Sequence, residues 1–87
     1  MRTFHSFIDL VEKTKNRQLL EDFLLALTSP YEQKIIARRI EIIDRLIAGQ
    51  HHYQIARELK VGVATVTRGA RELSRGHFKI LINKTRR

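Results

Sequence analysis

The sequence predicts an all-α fold of five to six helices that contains a helix-turn-helix. Three observations lead to this prediction. Apolar residues recur at helical spacing along almost the whole chain. Residues 53–74 have the pattern of two short helices joined by a tight turn. The charge is uneven, because residues 1–49 hold eight basic and seven acidic residues, whereas residues 50–87 hold nine basic and two acidic ones.

Two amphipathic helices are expected to open the chain. The first has apolar residues at i, i+3, i+4 and i+7, which are Phe4, Phe7, Ile8 and Val11. The second has a leucine-rich stripe made of Leu19, Leu20, Phe23, Leu24 and Leu27. Both stripes predict helices that pack through one face.

The third helix is expected over residues 30–48, with Ser29 as its N-cap, Pro30 at its first position and Glu32 in its first turn. Gly49 is expected to end it in a left-handed conformation. Its apolar arc is unusually wide, with two stripes made of Ile36, Ile40, Ile43 and Ile47, and of Ile35, Ile42 and Leu46. In a small protein such a helix is covered by a second subunit, which predicts a homodimer.

Length and composition support this organisation. A chain of 87 residues forms one small domain, and without cysteine no disulfide stabilises it. Residues 1–49 are expected to be the dimerisation core, residues 53–74 the helix-turn-helix and residues 77–83 a short last helix after a break at Gly76. The tail, residues 84–87, is expected to fray. The longest apolar patch is too short and too charged to span a membrane, so a cytoplasmic protein is expected.

The helix-turn-helix prediction depends on a few residue types. Ala56 is small where the two helices would cross, and Gly62 can begin the second helix. Lys60 stands where the turn takes a left-handed conformation and glycine is common. The apolar anchors would be Ile55, Leu59, Val61 and Val66. The alternative is an ordinary helical hairpin, which the excess of positive charge in this half disfavours.

A basic helix-turn-helix predicts binding to double-stranded DNA. The second helix would enter the major groove, where short side chains at its start approach base edges and other residues contact phosphates. The residues expected to contact DNA are His52, Tyr53, Arg57, Lys60, Val63, Ala64, Thr65, Thr67 and Arg71. The alternative partners are an acidic protein or an anionic membrane surface, bound by the same basic face.

These residues resemble the tryptophan operon repressor family and its close, small repressor-like relatives. The likeness is sharpest over residues 62–69, with the sequence GVATVTRG, and extends back to residues 27–30. It implies a helical, intertwined dimer that represses transcription at a palindromic operator, with L-tryptophan as a possible corepressor. Between Gly49 and Ile55 this chain is one residue shorter than the tryptophan repressor pattern, a spacing that resembles the smaller relatives.

The resemblance also implies a ligand site, made of Ser29, Arg39, Arg68, Gly69 and Glu72. Arg39 and Arg68 would sandwich the indole ring, although Arg39 could equally be an arginine whose stem covers apolar surface. Glu72 stands in place of a small hydroxyl residue of the family. It could pair with a ligand ammonium group, or it could bridge to Arg68 and fill the pocket.

No enzyme is expected, because no serine or threonine has a convincing His/Asp partner. The adjacent His51 and His52 point in different directions on a helix, which favours a surface or DNA-facing pair over a metal site. Three functions therefore follow from the sequence: a dimeric repressor, a DNA binder without an effector, and a basic helical interaction module.

Overall fold

A computed structural model describes residues 1–85, with side chains up to residue 83. In this part of the chain there are six helices and no strands, as the sequence predicts. In chain order they are α1 (Phe4–Lys13), α2 (Arg17–Leu27), α3 (Pro30–Ile47), α4 (His52–Leu59), α5 (Val63–Ser74) and α6 (Lys79–Thr85). The chain divides into two units, Met1–Gln33 and Lys34–Arg87.

Side-chain caps define the helix starts in the first unit. Thr3 and Ser6 form a reciprocal capping box at the start of α1, and the Asn16 side chain accepts a hydrogen bond from the Leu19 amide at the start of α2. Ser29 caps α3 as predicted, because its hydroxyl accepts from the Glu32 amide at 3.1 Å while Glu32 accepts from the Ser29 amide at 2.7 Å. Each cap satisfies amide groups that have no partner inside the helix.

The first unit also has an aromatic contact and a polar connection. Phe7 lies 5.3 Å from Phe4 and 6.2 Å from Phe23, measured between ring centroids, which joins α1 to α2. The side-chain amide of Gln33 donates from Nε2 to the Leu25 and Thr28 carbonyl oxygens, at 3.3 and 3.2 Å. These bonds hold the connection between α2 and the first turn of α3.

The second unit is built around a small apolar core where α3, α4 and α5 meet. Ile55 and Val66 are completely buried, and Ile42 and Ala56 are nearly so. Half-buried side chains pack around this cluster, namely Leu46, Leu59, Val61 and Val63. The predicted roles of Ala56 at the crossing and of the four apolar anchors are confirmed.

Left-handed residues end α3 and α5. Gly49 and Gly76 have φ angles of +90° and +83°. After Gly76, the His77 amide donates to the Glu72 carbonyl and the Gly76 amide to the Leu73 carbonyl, at 3.2 and 3.0 Å, which is the Schellman arrangement. Glycine adopts this left-handed conformation without the strain that a β-carbon would add.

Lys60 ends α4 in the same left-handed region, as predicted, with φ 58° and ψ 47°. The Val61 amide then donates to the Ala56 carbonyl at 3.0 Å. Gly62 begins α5 in an extended conformation without a side-chain bond, so its predicted role as N-cap is also confirmed.

Some predicted boundaries are wrong. Helix α3 ends one residue earlier than predicted and α4 begins one residue earlier. The last helix begins at Lys79 instead of residue 77, because His77 takes part in the turn that ends α5. It continues to Thr85, so the backbone of residues 84 and 85 is helical and not frayed, whereas residues 86 and 87 lie outside the described residues.

Replacing Lys60 with glycine should stabilise the protein. A left-handed conformation costs a residue with a β-carbon about 1–2 kcal/mol, and glycine avoids this cost. Part of the gain in stability is lost, because glycine has more conformational entropy in the unfolded chain. We therefore expect Lys60→Gly to raise the free energy of unfolding by about 0.5–1 kcal/mol in urea denaturation. Lys60→Ala is the control, because it removes the charge and keeps the β-carbon. Equal stabilisation by both variants would contradict the backbone explanation.

Candidate nucleic-acid interface and ligand pocket

Helix α5 presents three different faces. Val66 points into the core, while Ala64, Thr67 and Arg71 are exposed. Four other residues follow one another at i, i+3, i+4 and i+7 and line a cavity, namely Thr65, Arg68, Gly69 and Glu72. The helical repeat therefore separates packing, solvent-facing and cavity-lining residues on one short helix.

The first turn of α5 has the features that a groove-reading helix needs. Ala64 and Thr65 are exposed and short, so another surface can approach the helix backbone closely. Val63 is half-buried and packs against the core, which leaves less of its side chain for an outside contact. Ala64 and Thr65 are therefore the more accessible residues of this turn.

Three exposed cations lie on the helix-turn-helix. Arg57 on α4, Lys60 in the turn and Arg71 on α5 are all exposed. No ion pair involves any of these three side chains in the part of the chain that the structure describes. Their charges are therefore available to an anionic partner such as the phosphate backbone of DNA.

The two adjacent histidines differ in role. His51 is the N-cap of α4, because its Nδ1 accepts a hydrogen bond from the Tyr53 amide at 3.2 Å, and its ring stacks on Tyr53 with centroids 5.6 Å apart. This cap was not predicted from the sequence, since histidine is not among the usual capping residues. His52 is half-buried and Tyr53 is exposed. Among the described residues there is no cluster of His, Cys, Asp or Glu side chains that could hold a metal ion.

A cavity of about 300 Å³ lies between α3, α5 and the turn before α6. This volume is at the lower end of the range for small-molecule sites. Four of the five residues predicted to bind a ligand line it, together with four others; the full set is Arg39, Ile42, Ile43, Thr65, Arg68, Gly69, Glu72 and Phe78. Two guanidinium groups and one carboxylate face apolar side chains, so the cavity suits a small ligand with an apolar body and charged groups.

Glu72 is held at the edge of this cavity by residues that follow it. Its Oε2 lies 2.5 Å from His77 Nδ1, and its Oε1 accepts from Arg75 Nη1 at 3.2 Å. The bond from His77, and then the charges of His77 and Arg75, lower the pKa of Glu72 below the usual range of a glutamate. Among the described side chains, the ion pairs of Glu72 are with these two residues. The alternative in which Glu72 bridges to Arg68 is therefore wrong.

Gly69 allows α5 to approach α3 closely. A β-carbon at this position would lie 3.1 Å from Ile43 Cδ1 and 3.5 Å from Ile42 Cγ2. A larger residue would therefore require the Ile43 side chain, which also lines the cavity, to move. Ser29, the fifth residue predicted for the ligand site, belongs to the first unit, where its hydroxyl caps α3.

A polar network that was not predicted from the sequence surrounds Glu58. This carboxylate accepts hydrogen bonds from Arg45 on α3, from Gln50 in the connection between α3 and α4, and from Gln54 on α4. Bonds from Gln50 and Gln54 contribute most to lowering the pKa of Glu58, and Arg45 adds to the effect. The opposite charges of Arg45 and Glu58 are visible in the sequence. They predict an ion pair only once α3 and α4 are known to lie side by side.

No helix among residues 1–85 is long and apolar enough to cross a membrane.

Comparisons with known proteins agree with this geometry. The chain matches the Trp repressor protein family over residues 2–85. A Trp operon repressor homolog of Vibrio parahaemolyticus is 33% identical over 73 residues, which are 83% of this chain and 71% of that protein. The homolog of Vibrio cholerae is 36% identical over 67 residues, which are 76% of this chain and 65% of that protein. The chain belongs to the Trp repressor protein family, a family of helix-turn-helix proteins that bind DNA and repress transcription.

Proposed function

We propose that this protein represses transcription as a homodimer on a palindromic operator and that a small aromatic amino acid, L-tryptophan, is its corepressor. The observation that carries the proposal is that different faces of α5 line the cavity and face solvent. One face of this helix lines the cavity, and its exposed first turn follows the exposed cations Arg57 and Lys60 in the chain. A ligand in the cavity would therefore contact the same helix that contacts DNA, which gives the two binding events a physical route for coupling.

The homodimer is supported by apolar side chains that a single chain leaves exposed. Large apolar side chains of α1, α2 and α3 are between about two fifths and three quarters exposed; the set includes Phe4, Leu19, Leu27, Ile36 and Ile40. Exposure on this scale in a small protein marks an interaction surface. A two-fold dimer would bury matching patches of both copies and would present two copies of α5 to DNA.

Specific DNA binding by α5 is supported by its first turn. Thr65 offers both a hydroxyl and a methyl group, which can contact base edges and thymine methyl groups. Arg57 and Lys60 would contact phosphates, and Thr67 and Arg71 lie further along α5 to do the same. His52 and Tyr53 at the start of α4 complete the proposed surface.

Ligand binding is supported by the charges in the cavity. Arg39 and Arg68 can stack on the faces of an indole ring and attract a carboxylate. Glu72 is bonded to His77 and Arg75 and still has lone pairs that can accept from a ligand ammonium group. A zwitterionic aromatic amino acid would satisfy all three charged groups at once. Ser29 is included in the proposed ligand site on the strength of the family resemblance.

The first prediction of this proposal concerns the oligomeric state. Sedimentation equilibrium should give a dimer for the wild type and a monomer for Ile36→Asp, because a carboxylate in a buried apolar contact is strongly unfavourable. Ala48→Asp, which adds the same charge at an exposed position after α3, should stay dimeric. A monomeric wild type at micromolar concentration would contradict the dimer.

A second prediction concerns DNA. Selection from a random duplex library should recover palindromes with half-sites about one helical turn apart. Thr65→Ala should change the preferred bases, whereas Arg57→Ala should weaken all duplexes alike and reduce the salt slope of log Kobs by about one. Lys13→Ala removes the same charge outside the helix-turn-helix and should change neither property. Recovery of random sequences would rule out an operator-specific repressor.

A third prediction concerns the ligand, and it uses the absence of tryptophan from the chain. Titrating protein into L-tryptophan should change the indole emission and anisotropy until one ligand is bound per chain. Arg68→Ala should weaken this binding at least about tenfold through loss of stacking and charge. Arg57→Ala is the matched control, because this arginine does not line the cavity. No change with the wild type would favour a repressor that acts without tryptophan.

A further inference from the structure

The hydrogen bonds around Glu58 connect three consecutive parts of the second unit. Arg45, in the last turn of α3, donates from Nη1 to Glu58 Oε1 at 2.6 Å. Gln50, in the connection between α3 and α4, donates to the same oxygen at 2.9 Å, and Gln54, on α4, donates to Oε2 at 3.0 Å. Glu41 in turn accepts from Arg45 Nε at 2.8 Å and holds that guanidinium in place.

The position of this network relative to the core gives it a specific role. The apolar core holds α4 through Ile55 and Ala56, with Leu59 at the end of the helix packed against it. Apolar packing is not directional, so it defines the rotation of α4 on the core less precisely than hydrogen bonds do. The bonds to Glu58 act outside the core, near the C-terminal end of α4, and they are directional. They therefore restrict the orientation of α4 beyond what the apolar contacts do.

We propose that Glu58 is a positioning residue for DNA binding, because its bonds to Arg45, Gln50 and Gln54 orient α4, and with it α5, on α3. The inference rests on the proposed DNA-binding function. It assigns a role to a negatively charged side chain on the most basic half of the protein, where simple attraction to DNA would favour a neutral or positive residue.

Two further observations support a role in geometry. The hydrogen bonds lower the pKa of Glu58, Gln50 contributing most, so the side chain stays ionised near neutral pH. The Arg45 and Glu58 side chains are 29% and 43% exposed, and ion pairs of this kind add little to overall stability. A contact that adds little to stability but joins two helices can still determine their relative orientation.

The test is a charge reversal in which electrostatic attraction and positioning predict opposite results. Glu58→Arg adds two positive charges to a formal net charge of +8, so attraction alone predicts tighter DNA binding. Glu21→Arg is the matched control, because it adds the same charge and breaks the Arg17–Glu21 ion pair, which lies within the single helix α2. The reciprocal variant Arg45→Glu, Glu58→Arg restores both the net charge and an ion pair between α3 and α4.

Two readouts are compared in the full-length protein. The first is the affinity for the duplex recovered by selection with the wild type, at one fixed salt concentration. We expect Glu58→Arg to weaken it about fivefold or more, the reciprocal variant to recover most of the loss and Glu21→Arg to show no weakening. The second is hydrogen exchange without DNA, in which Glu58→Arg should speed exchange of the α4 amides about tenfold, with circular dichroism confirming retained helix content.

Each other result overturns the inference. If Glu58→Arg binds the duplex as tightly as the wild type or more tightly, Glu58 does not position the DNA-binding helices. Unchanged exchange of the α4 amides would show that the network does not hold α4. If the wild type binds no duplex specifically, the proposed function fails and the role in DNA binding falls with it, while the exchange data still show whether Glu58 holds α4.

Discussion

At Gly69 the backbone of α5 lies against α3 so closely that a β-carbon would be within 3.1 Å of Ile43 Cδ1. This approach sets the distance between the two helices, and other features of residues 34–85 follow from it. It lets Val66 reach the core beside Ile42, and it leaves between the helices a cavity of about 300 Å³. With a bulkier residue at this position, the Ile43 side chain, which lines the cavity, would have to shift by a few tenths of an ångström or more.

Much of the second unit could be predicted because local patterns determine it. The crossing at Ala56, the left-handed turn at Lys60 and the start of α5 after Gly62 all depend on residues close together in the sequence. Arg39, Arg68, Gly69 and Glu72 were assigned to the ligand site by resemblance to the family, and these four residues line the cavity.

The features that were missed depend on contacts that local patterns do not specify. Phe78 lines the cavity because the turn after Gly76 directs it there, and the same turn delays the start of α6 to Lys79. His51 caps α4 with a ring nitrogen, a role that its residue type does not suggest. The bond between Glu72 and His77 spans the same turn, so it could be identified only once the turn geometry was known.

Glu58 and Glu72 are the acidic residues of the basic half of the chain, and each forms an ion pair with an arginine, Glu58 with Arg45 and Glu72 with Arg75. Their negative potential is therefore short-ranged, and the field that this half projects into solvent is almost uniformly positive. Such a field raises the rate at which a polyanion collides productively with the protein, an effect that falls steeply with ionic strength. The two paired carboxylates thus connect parts of the fold without slowing the diffusional encounter with DNA.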